Sequence, residues 1–262
     1  MQTPIYLGTI ALEPNRWSTR VPSIDASVWT DRATGSGFDG VELWEPHFRD
    51  ADADVQARMR ERRDAVAIFN TYLLPENGTD EAWAQCADTC QQLEVQAVKF
   101  NFGRDRERSA EYVSALRRVQ RFFPPEIQLL CECHPGTVAE QPEDALALLS
   151  EPGLEHMQII CHPFLIGEAK LERWISCFGS RIGHVHVQVR NENREIIRVK
   201  DRMDHVRRQI SLLSQHGYAG SWTVEFVYGT SGADDVPELL FQRACEDRSV
   251  LASVLDIAGN EG

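Results

Sequence analysis

The sequence predicts a single-domain α/β fold of the (β/α)8 or TIM barrel class, and three observations predict it. Short β-rich runs alternate with longer amphipathic segments along the chain, which is typical of βα units around a parallel sheet. Eight runs of each kind are present, the number that closes such a barrel. The length of 262 residues suits one large barrel, and no break in composition divides residues 1–262 into parts.

The predicted strands are short runs rich in β-branched and other apolar residues. In chain order they are Ile5–Ile10, Gly40–Leu43, Ala65–Phe69, Ala97–Asn101, Gln128–Glu132, Met157–Cys161, Ile182–Gln188 and Ser221–Phe226.

The predicted helices are the amphipathic segments between these strands, and several begin with recognisable start signals. Asp80 opens an acidic first turn, and Pro142 follows Gln141 at the start of another segment. The segments are Ser23–Ser36, Asp54–Asp64, Asp80–Leu93, Ser109–Arg121, Pro142–Leu149, Ala169–Phe178, Arg202–His216 and Val236–Ile257. An open doubly wound sheet is the alternative arrangement. It is weakened because the turn after the first strand, in IYLGTIALEPNRW, lacks the G-x-G-x-x-G pattern.

Composition and charge narrow the class of protein. The formal net charge of −13 opposes attraction to phosphate backbones, so nucleic acid is not an expected partner. No apolar run is long enough to span a membrane, and the N-terminus lacks the features of a secretory signal. Seven cysteines without a disulfide or zinc-finger pattern indicate reduced thiols. A cytoplasmic protein is therefore expected.

Four potential metal ligands lie at or near the C-terminal ends of separate predicted strands, and they are Glu132, His162, His186 and Glu225. Alternation along each strand turns these side chains into the barrel, where catalytic groups of such barrels collect at the open end of the strands. Their neighbours LLC, QII and WTV are apolar, so a buried charge there would be costly without a partner. A cation would supply that partner. The inward residue Lys99 could instead pair with a glutamate.

Several motifs resemble one known family, the xylose-isomerase-like TIM barrels, which include sugar isomerases, sugar epimerases and related lyases. The motifs are GFDGVELW (Gly37–Trp44), LLCECHP around Glu132, GHVHVQ around His186 and HGYAGSWTVEF (His216–Phe226). The resemblance covers essentially the whole chain. Its motifs are moderately specific for the superfamily and weak for a substrate.

The resemblance implies a divalent ion held by Glu132, His162, His186 and Glu225. The chain departs from the family pattern in two places, because His162 replaces the usual aspartate and Leu165 stands where a histidine is often found. Two imidazoles and two carboxylates favour Mn²⁺, Zn²⁺ or Co²⁺ over Mg²⁺, with Mn²⁺ as the first expectation. Loss of activity is the other consequence that this exchange leaves open.

The resemblance also implies roles for individual residues. Glu132 and Glu225 would be the paired acid/base residues on opposite sides of the substrate. The E-x-H-P arrangement at Glu132 is similar to that of 3-dehydroshikimate dehydratases, which makes His134 a third catalytic candidate. Six further residues are candidates for contacts with hydroxyls, a carboxylate or a sugar face: Lys99, Asn101, Arg190, Tyr72, Trp44 and Glu42.

The first hypothesis is therefore a metal-dependent isomerase or epimerase of a keto or aldo sugar, in which the ion stabilises an enediolate. A metal-dependent dehydratase using His134 is the second, and a barrel that binds a ligand without turnover is another. An abasic-site nuclease needs more histidines and a basic groove, so it has little support. The substrate is expected to be an unphosphorylated sugar or a polyhydroxy acid, because no glycine-rich phosphate loop is present. A homo-oligomer is left open.

Overall fold

The predicted strands close into one parallel barrel in the computed structural model, which describes residues 3–260. The described residues form ten strands: β1 Ile5–Gly8, β2 Gly40–Trp44, β3 Val66–Asn70, β4 Ala97–Phe100, β5 Gln128–Glu132, β6 Gln158–Cys161, β7 Ile182–Val187, β8 Val189–Arg190, β9 Ile196–Ile197 and β10 Ser221–Val224. The closed barrel has the order β1-β10-β7-β6-β5-β4-β3-β2. The predicted fold class is confirmed. The outermost residues of the predicted domain, at positions 1 and 262, lie outside the described residues.

Helices cover the outside of the barrel, and all except the short α2, which was not predicted, lie close to the bounds that the sequence predicts. They are α1 Ala26–Gly35, α2 Pro46–Arg49, α3 Ala53–Glu61, α4 Asp80–Gln92, α5 Ser109–Val119, α6 Pro142–Leu149, α7 Glu168–Phe178, α8 Met203–Gln215 and α9 Pro237–Asn260. Side-chain caps fix several starts. Asp25 accepts from the amides of Ser27 and Val28 at α1, and Thr79 accepts from Ala82 at α4. Among residues 3–260, no helix combines the length and apolar composition that a bilayer crossing requires.

Four of the eight predicted strands end one or two residues earlier than expected. The first stops at Gly8 and continues as a 3-10 turn over Thr9–Leu12, where the Thr9 hydroxyl accepts from the amide of Trp44 at 2.9 Å. The seventh leaves the barrel after Val187. The chain then forms an antiparallel hairpin of β8 and β9 above the barrel, which the sequence analysis did not predict.

The glycines of GFDGVELW are required by the backbone. Gly37 has φ of 90°, and Gly40 has φ of 150°. A Cβ atom on Gly40 would lie 2.6 Å from the carbonyl oxygen of Ala65, so a larger residue would force β2 away from the neighbouring segment. This motif therefore sets the close approach of β2 to β3.

The core has an outer and an inner part. Apolar side chains that point out of the barrel, including Cys131 and Cys161, pack against the helices. Inward-pointing apolar side chains, including Tyr6, Ile68, Leu130 and Ile160, fill the lower barrel. Above this apolar plug the inward positions become polar, and the site begins there.

Candidate metal centre and active site

The four predicted ligands meet at the C-terminal end of the barrel. Glu132 ends β5, His162 follows β6, His186 lies within β7 and Glu225 follows β10. One donor atom from each side chain lies within 4.8 Å of the others. All four are buried, and their exposed fractions are 3%, 8%, 0% and 7%. His162 precedes a 3-10 turn, but its side chain makes no capping hydrogen bond there. The imidazole instead belongs to the cluster.

The distances within this cluster are short. Glu132 Oε1 lies 3.1 Å from His162 Nε2 and 3.4 Å from His186 Nδ1. Glu225 Oε1 lies 3.2 Å from His186 Nδ1, and Glu225 Oε2 lies 3.8 Å from His162 Nδ1. The imidazole planes of the two histidines are nearly perpendicular, with ring centroids 5.1 Å apart. The two carboxylates and two imidazoles therefore surround one small space.

Only one oxygen of Glu132 faces that space. Its Oε2 accepts from Lys99 Nζ at 2.7 Å and from Asn101 Nδ2 at 2.8 Å. Lys99 is thus the salt-bridge partner that the sequence suggested, yet it occupies Oε2 alone. Oε1 remains directed at His162 and His186, so the ion pair and a metal ion do not compete for the same atom.

His186 is oriented from below by Glu42. Its Nε2 lies 3.0 Å from Glu42 Oε2, and Glu42 Oε1 accepts from Asn70 Nδ2 at 2.6 Å. A carboxylate can only accept, so Nε2 of His186 carries a proton, and in the neutral form of the ring the lone pair of Nδ1 points at the oxygens of Glu132 and Glu225. Such an arrangement is repulsive without a positive charge between the atoms.

Two buried atoms of the cluster lack a hydrogen-bond partner, His186 Nδ1 and His162 Nδ1. Buried polar atoms are normally satisfied, so each unsatisfied one indicates a missing partner. A divalent cation would satisfy both nitrogens and separate them from the carboxylate oxygens. The donor set of two imidazoles and two carboxylates fits such an ion.

The electrostatics of the protein without an ion follow the same geometry. Burial alone would lower the pKa of His186, but the carboxylates of Glu42 and Glu225 raise it well above its ordinary value. Burial would raise the pKa of Glu132, yet Lys99 and the two histidines hold it well below its usual range. A proton on His186 therefore takes the place of the positive charge that the cluster requires.

A second polar layer lies directly beneath, around His184. Its ring nitrogens contact the hydroxyls of Ser221 and Thr223, each at 2.8 Å, and burial lowers its pKa. His184, His186 and Glu42 also bring their donor atoms within 4.8 Å of one another. The sequence placed His184 on the same inward face as His186 and assigned no role to it.

A cavity of about 1200 Å³ opens above the cluster. Four of the six predicted substrate contacts line it: Tyr72, Lys99, Asn101 and Arg190. Trp44 and Glu42 do not, which corrects their assignment. Trp44 is fully buried and packs edge-on against His47, and Glu42 lies one layer deeper, where it holds His186.

His134 also lines this cavity and is exposed. Its Nδ1 lies 2.6 Å from the carbonyl oxygen of Pro135, which can only accept, so Nδ1 carries the proton and Nε2 is free to act as a base. Its ring centroid lies 6.2 Å from that of His162.

Arginines from the hairpin after β7 and from the 3-10 turn that follows it, Val199–Arg202, form another part of the wall. Arg194 and Arg202 line the cavity beside Arg190, and the sequence analysis named only Arg190. The signal that could have found them is the spacing of arginines in VRNENREIIRVKDR directly after a strand that carries a ligand.

Fold and site together define a class of (β/α)8 barrel with a carboxylate–imidazole cluster at the open end of its strands. The chain matches the xylose isomerase-like TIM barrel over residues 31–245, and it belongs to that family. This confirms the resemblance read from the motifs.

Solved structures with the same fold are similar to the chain over nearly its whole length. L-ribulose 3-epimerase has a TM-score of 0.73 at 15% identity, covering 100% of this chain and 97% of the other. The probable 3-DHS dehydratase AsbF from Bacillus anthracis has a TM-score of 0.68 at 15% identity, covering 99% and 100%. A xylose isomerase-like TIM barrel protein from Mycobacterium smegmatis in complex with magnesium has a TM-score of 0.64 at 14% identity, covering 97% and 98%. By sequence, no curated protein matches the chain significantly.

Proposed function

We propose that the chain is a divalent-metal-dependent isomerase or epimerase of a sugar or polyhydroxy acid, which moves a proton on a carbon next to a carbonyl. The observation that carries this proposal is the convergence of Glu132, His162, His186 and Glu225, with two unsatisfied imidazole nitrogens, at the base of a large cavity. The structural similarity of the chain to L-ribulose 3-epimerase supports the same proposal.

The ion would be held by Glu132 Oε1, the His162 imidazole, His186 Nδ1 and the Glu225 carboxylate. When bound, it would polarise a carbonyl and stabilise the negative charge that develops on its oxygen. The mixture of nitrogen and oxygen donors favours Mn²⁺, with Zn²⁺ and Co²⁺ next and Mg²⁺ last.

Glu225 is the proposed base that removes the carbon-bound proton. It lines the cavity, and no lysine or arginine among residues 3–260 forms an ion pair with it. The two imidazoles beside it fix its position.

Glu132 is the proposed acid/base residue on the other side, and Lys99 is its ion-pair partner. Lys99 also lines the cavity, and its ammonium lies 5.0 Å from the ring centroid of Tyr72. Burial would lower the pKa of Lys99, but Glu132 raises it above its ordinary value, so this ammonium is held charged and donates to Glu132 Oε2. In this pair Glu132 would exchange a proton with the substrate, while Lys99 balances its charge.

The direct test is solvent exchange. The protein is incubated with a panel of ketoses and polyhydroxy acids in D₂O with Mn²⁺, and carbon-bound deuterium is followed by NMR. We expect exchange with at least one compound and its loss by about 100-fold or more in Glu225→Gln. Glu172→Gln, an exposed matched change on α7, should retain it. Equal exchange in Glu225→Gln and wild type would remove Glu225 from the proposed role.

A dehydratase is the second candidate, and the geometry of His134 favours it. Its free Nε2 could take part in expelling a hydroxyl, and the similarity to the probable 3-DHS dehydratase points the same way. A conjugated ultraviolet chromophore, formed by wild type and lost in His134→Gln, would support dehydration. Deuterium exchange without loss of water in both proteins would support the isomerase.

A further inference from the structure

The cavity concentrates arginines that have no carboxylate partner. The chain has 40 acidic and 27 basic side chains, so a cation on its surface should readily find an acid. Yet within residues 3–260, five arginines that line this cavity form no ion pair with a carboxylate: Arg20, Arg104, Arg190, Arg194 and Arg202. Unbalanced positive charge in an acidic protein is therefore focused on the mouth of the proposed active site.

Three of these arginines are held together by neutral groups. Arg190 donates through Nε to Gln188 Oε1 at 2.8 Å and through Nη1 to the carbonyl oxygen of Arg194 at 2.6 Å. Arg202 donates through Nη1 to the carbonyl oxygen of Arg190 at 2.8 Å. These bonds fix the guanidinium of Arg190 without neutralising it. No hydrogen bond within the described chain uses its Nη2.

The turn between β8 and β9 is built around Arg194. Its backbone lies in the left-handed region at φ of 66°, which is uncommon for a residue with a side chain. Asn191 and Glu195 close the turn with reciprocal hydrogen bonds that hold this conformation. Strain of this kind persists where the surroundings enforce it, often at ligand sites.

The resulting arrangement is unfavourable without a negative charge. Burial and the neighbouring charge of Arg194 lower the pKa of Arg190, and the charge of Glu225 offsets only part of this effect. Like charges beside a partly buried cation are destabilising, and an oxyanion bound between them would relieve the repulsion.

We propose that Arg190, Arg194 and Arg202 form a subsite for an oxyanion carried by the substrate, a carboxylate or a phosphate. This rests on the proposed function, since it names the chemical class of the molecule handled at the same site. Arg190 and Glu225 line the same cavity, so the subsite and the proposed base face one space. A polyol chain with an oxyanion at one end would span the two.

Isothermal titration of the full chain, stripped of divalent ions with EDTA, tests the subsite separately from the metal. The probes are sorbitol, gluconate and sorbitol 6-phosphate, which share a six-carbon chain and differ in the end group. We expect at least one anion to bind about 10-fold or more tightly than sorbitol. The tighter anion then identifies the group as carboxylate or phosphate. Equal affinities for all three probes would overturn the proposal.

Variants locate the binding. Arg190→Gln and the exposed Arg194→Gln should each weaken anion binding by about 10-fold or more and leave sorbitol unaffected. Arg121→Gln is the matched control, since Arg121 is exposed, carries the same charge and does not line the cavity. Thermal melts establish that each variant is folded. An equal loss of anion affinity in Arg121→Gln and Arg194→Gln would show that the overall charge of the protein, not the subsite, attracts the anion.

The outcomes for subsite and function can be told apart. Anion binding lost in Arg194→Gln, in a protein that neither binds Mn²⁺ nor exchanges deuterium, would support the subsite and overturn the proposed function. Deuterium exchange confined to neutral sugars, together with equal affinities for the three probes, would overturn the subsite and leave the function standing.

Discussion

Glu42 Oε2 lies 3.0 Å from Nε2 of His186, and this contact sets which nitrogen of that histidine faces the cluster. A hydrogen bond that the far ring nitrogen of a metal-binding histidine donates to a carboxylate fixes the tautomer of the ring and raises its basicity. Glu42 is buried beneath the cavity and is a positioning residue in this account.

Glu42→Gln should weaken Mn²⁺ binding by about 10- to 100-fold. Asn70 donates to Oε1 of Glu42, so a glutamine there would place its oxygen toward Asn70 and its amide NH₂ toward His186 Nε2. That would favour the proton on Nδ1 and block the ligand atom. Isothermal titration gives the affinity, and ¹⁵N NMR of the imidazole gives the tautomer.

Glu172→Gln is the control for this prediction, since it removes the same charge from an exposed site. Unchanged affinity and an unchanged tautomer in Glu42→Gln would contradict the positioning role.

Lys99→Met should destabilise the protein without metal by about 3–5 kcal/mol, because it leaves the buried carboxylate of Glu132 without its cation. Urea denaturation measures the loss. Mn²⁺ should restore more stability to Lys99→Met than to wild type, since the ion would then be the main positive charge near Glu132.

The double variant Lys99→Met/Glu132→Gln provides the control, because it removes the unpaired charge as well. It should lose less stability than Lys99→Met alone. Additive losses in the double variant would mean that the two residues are not energetically coupled.

Asp247, which lies outside the site, should make the free energy of unfolding depend on pH. Burial, with Glu246 and Asp201 nearby, raises its pKa from 3.8 to about 7. The folded state holds this proton more tightly than the unfolded state. The contribution of protonated Asp247 to the stability of the fold is therefore fully present below about pH 4 and is lost as the pH rises to 7.

Asp247→Asn removes that dependence and keeps an oxygen to accept from the amide of Val199. The free energy of unfolding of the variant, relative to wild type, should rise between pH 4 and 7 and stay constant above pH 7. The rise should be a few kcal/mol at most, since one pKa unit corresponds to about 1.4 kcal/mol. Urea denaturation over this range measures it. A difference that stays constant with pH would show that Asp247 titrates normally in the folded protein.

Much of this site could be predicted from sequence because strand alternation has a fixed period. Counting along LLCECHP and GHVHVQ turns Glu132 and His186 inward, and parallel strands bring their ends together. The same count cannot give the height of a side chain along the barrel axis. Glu42 also points inward, yet the stagger of the strands places it a layer below the cavity.

The hairpin of β8 and β9 could not be predicted for a different reason. Val189, Arg190, Ile196 and Ile197 form strands of two residues each, too short to give a periodic signal. The position of Arg194 depends on a turn held by Asn191 and Glu195 rather than on any periodic pattern. The arginines of this segment can be seen in the sequence, but the conformation that turns them toward the cavity has no periodic signal.

Mn²⁺ binding followed by electron paramagnetic resonance tests the central claim most directly. We expect one tightly bound Mn²⁺ per chain, with electron spin echo modulation from the nitrogens of two imidazoles, and loss of the modulation from one ring in His162→Gln. Failure of the wild-type protein to bind Mn²⁺, Zn²⁺ or Co²⁺, or binding of Mn²⁺ without nitrogen modulation, would contradict it.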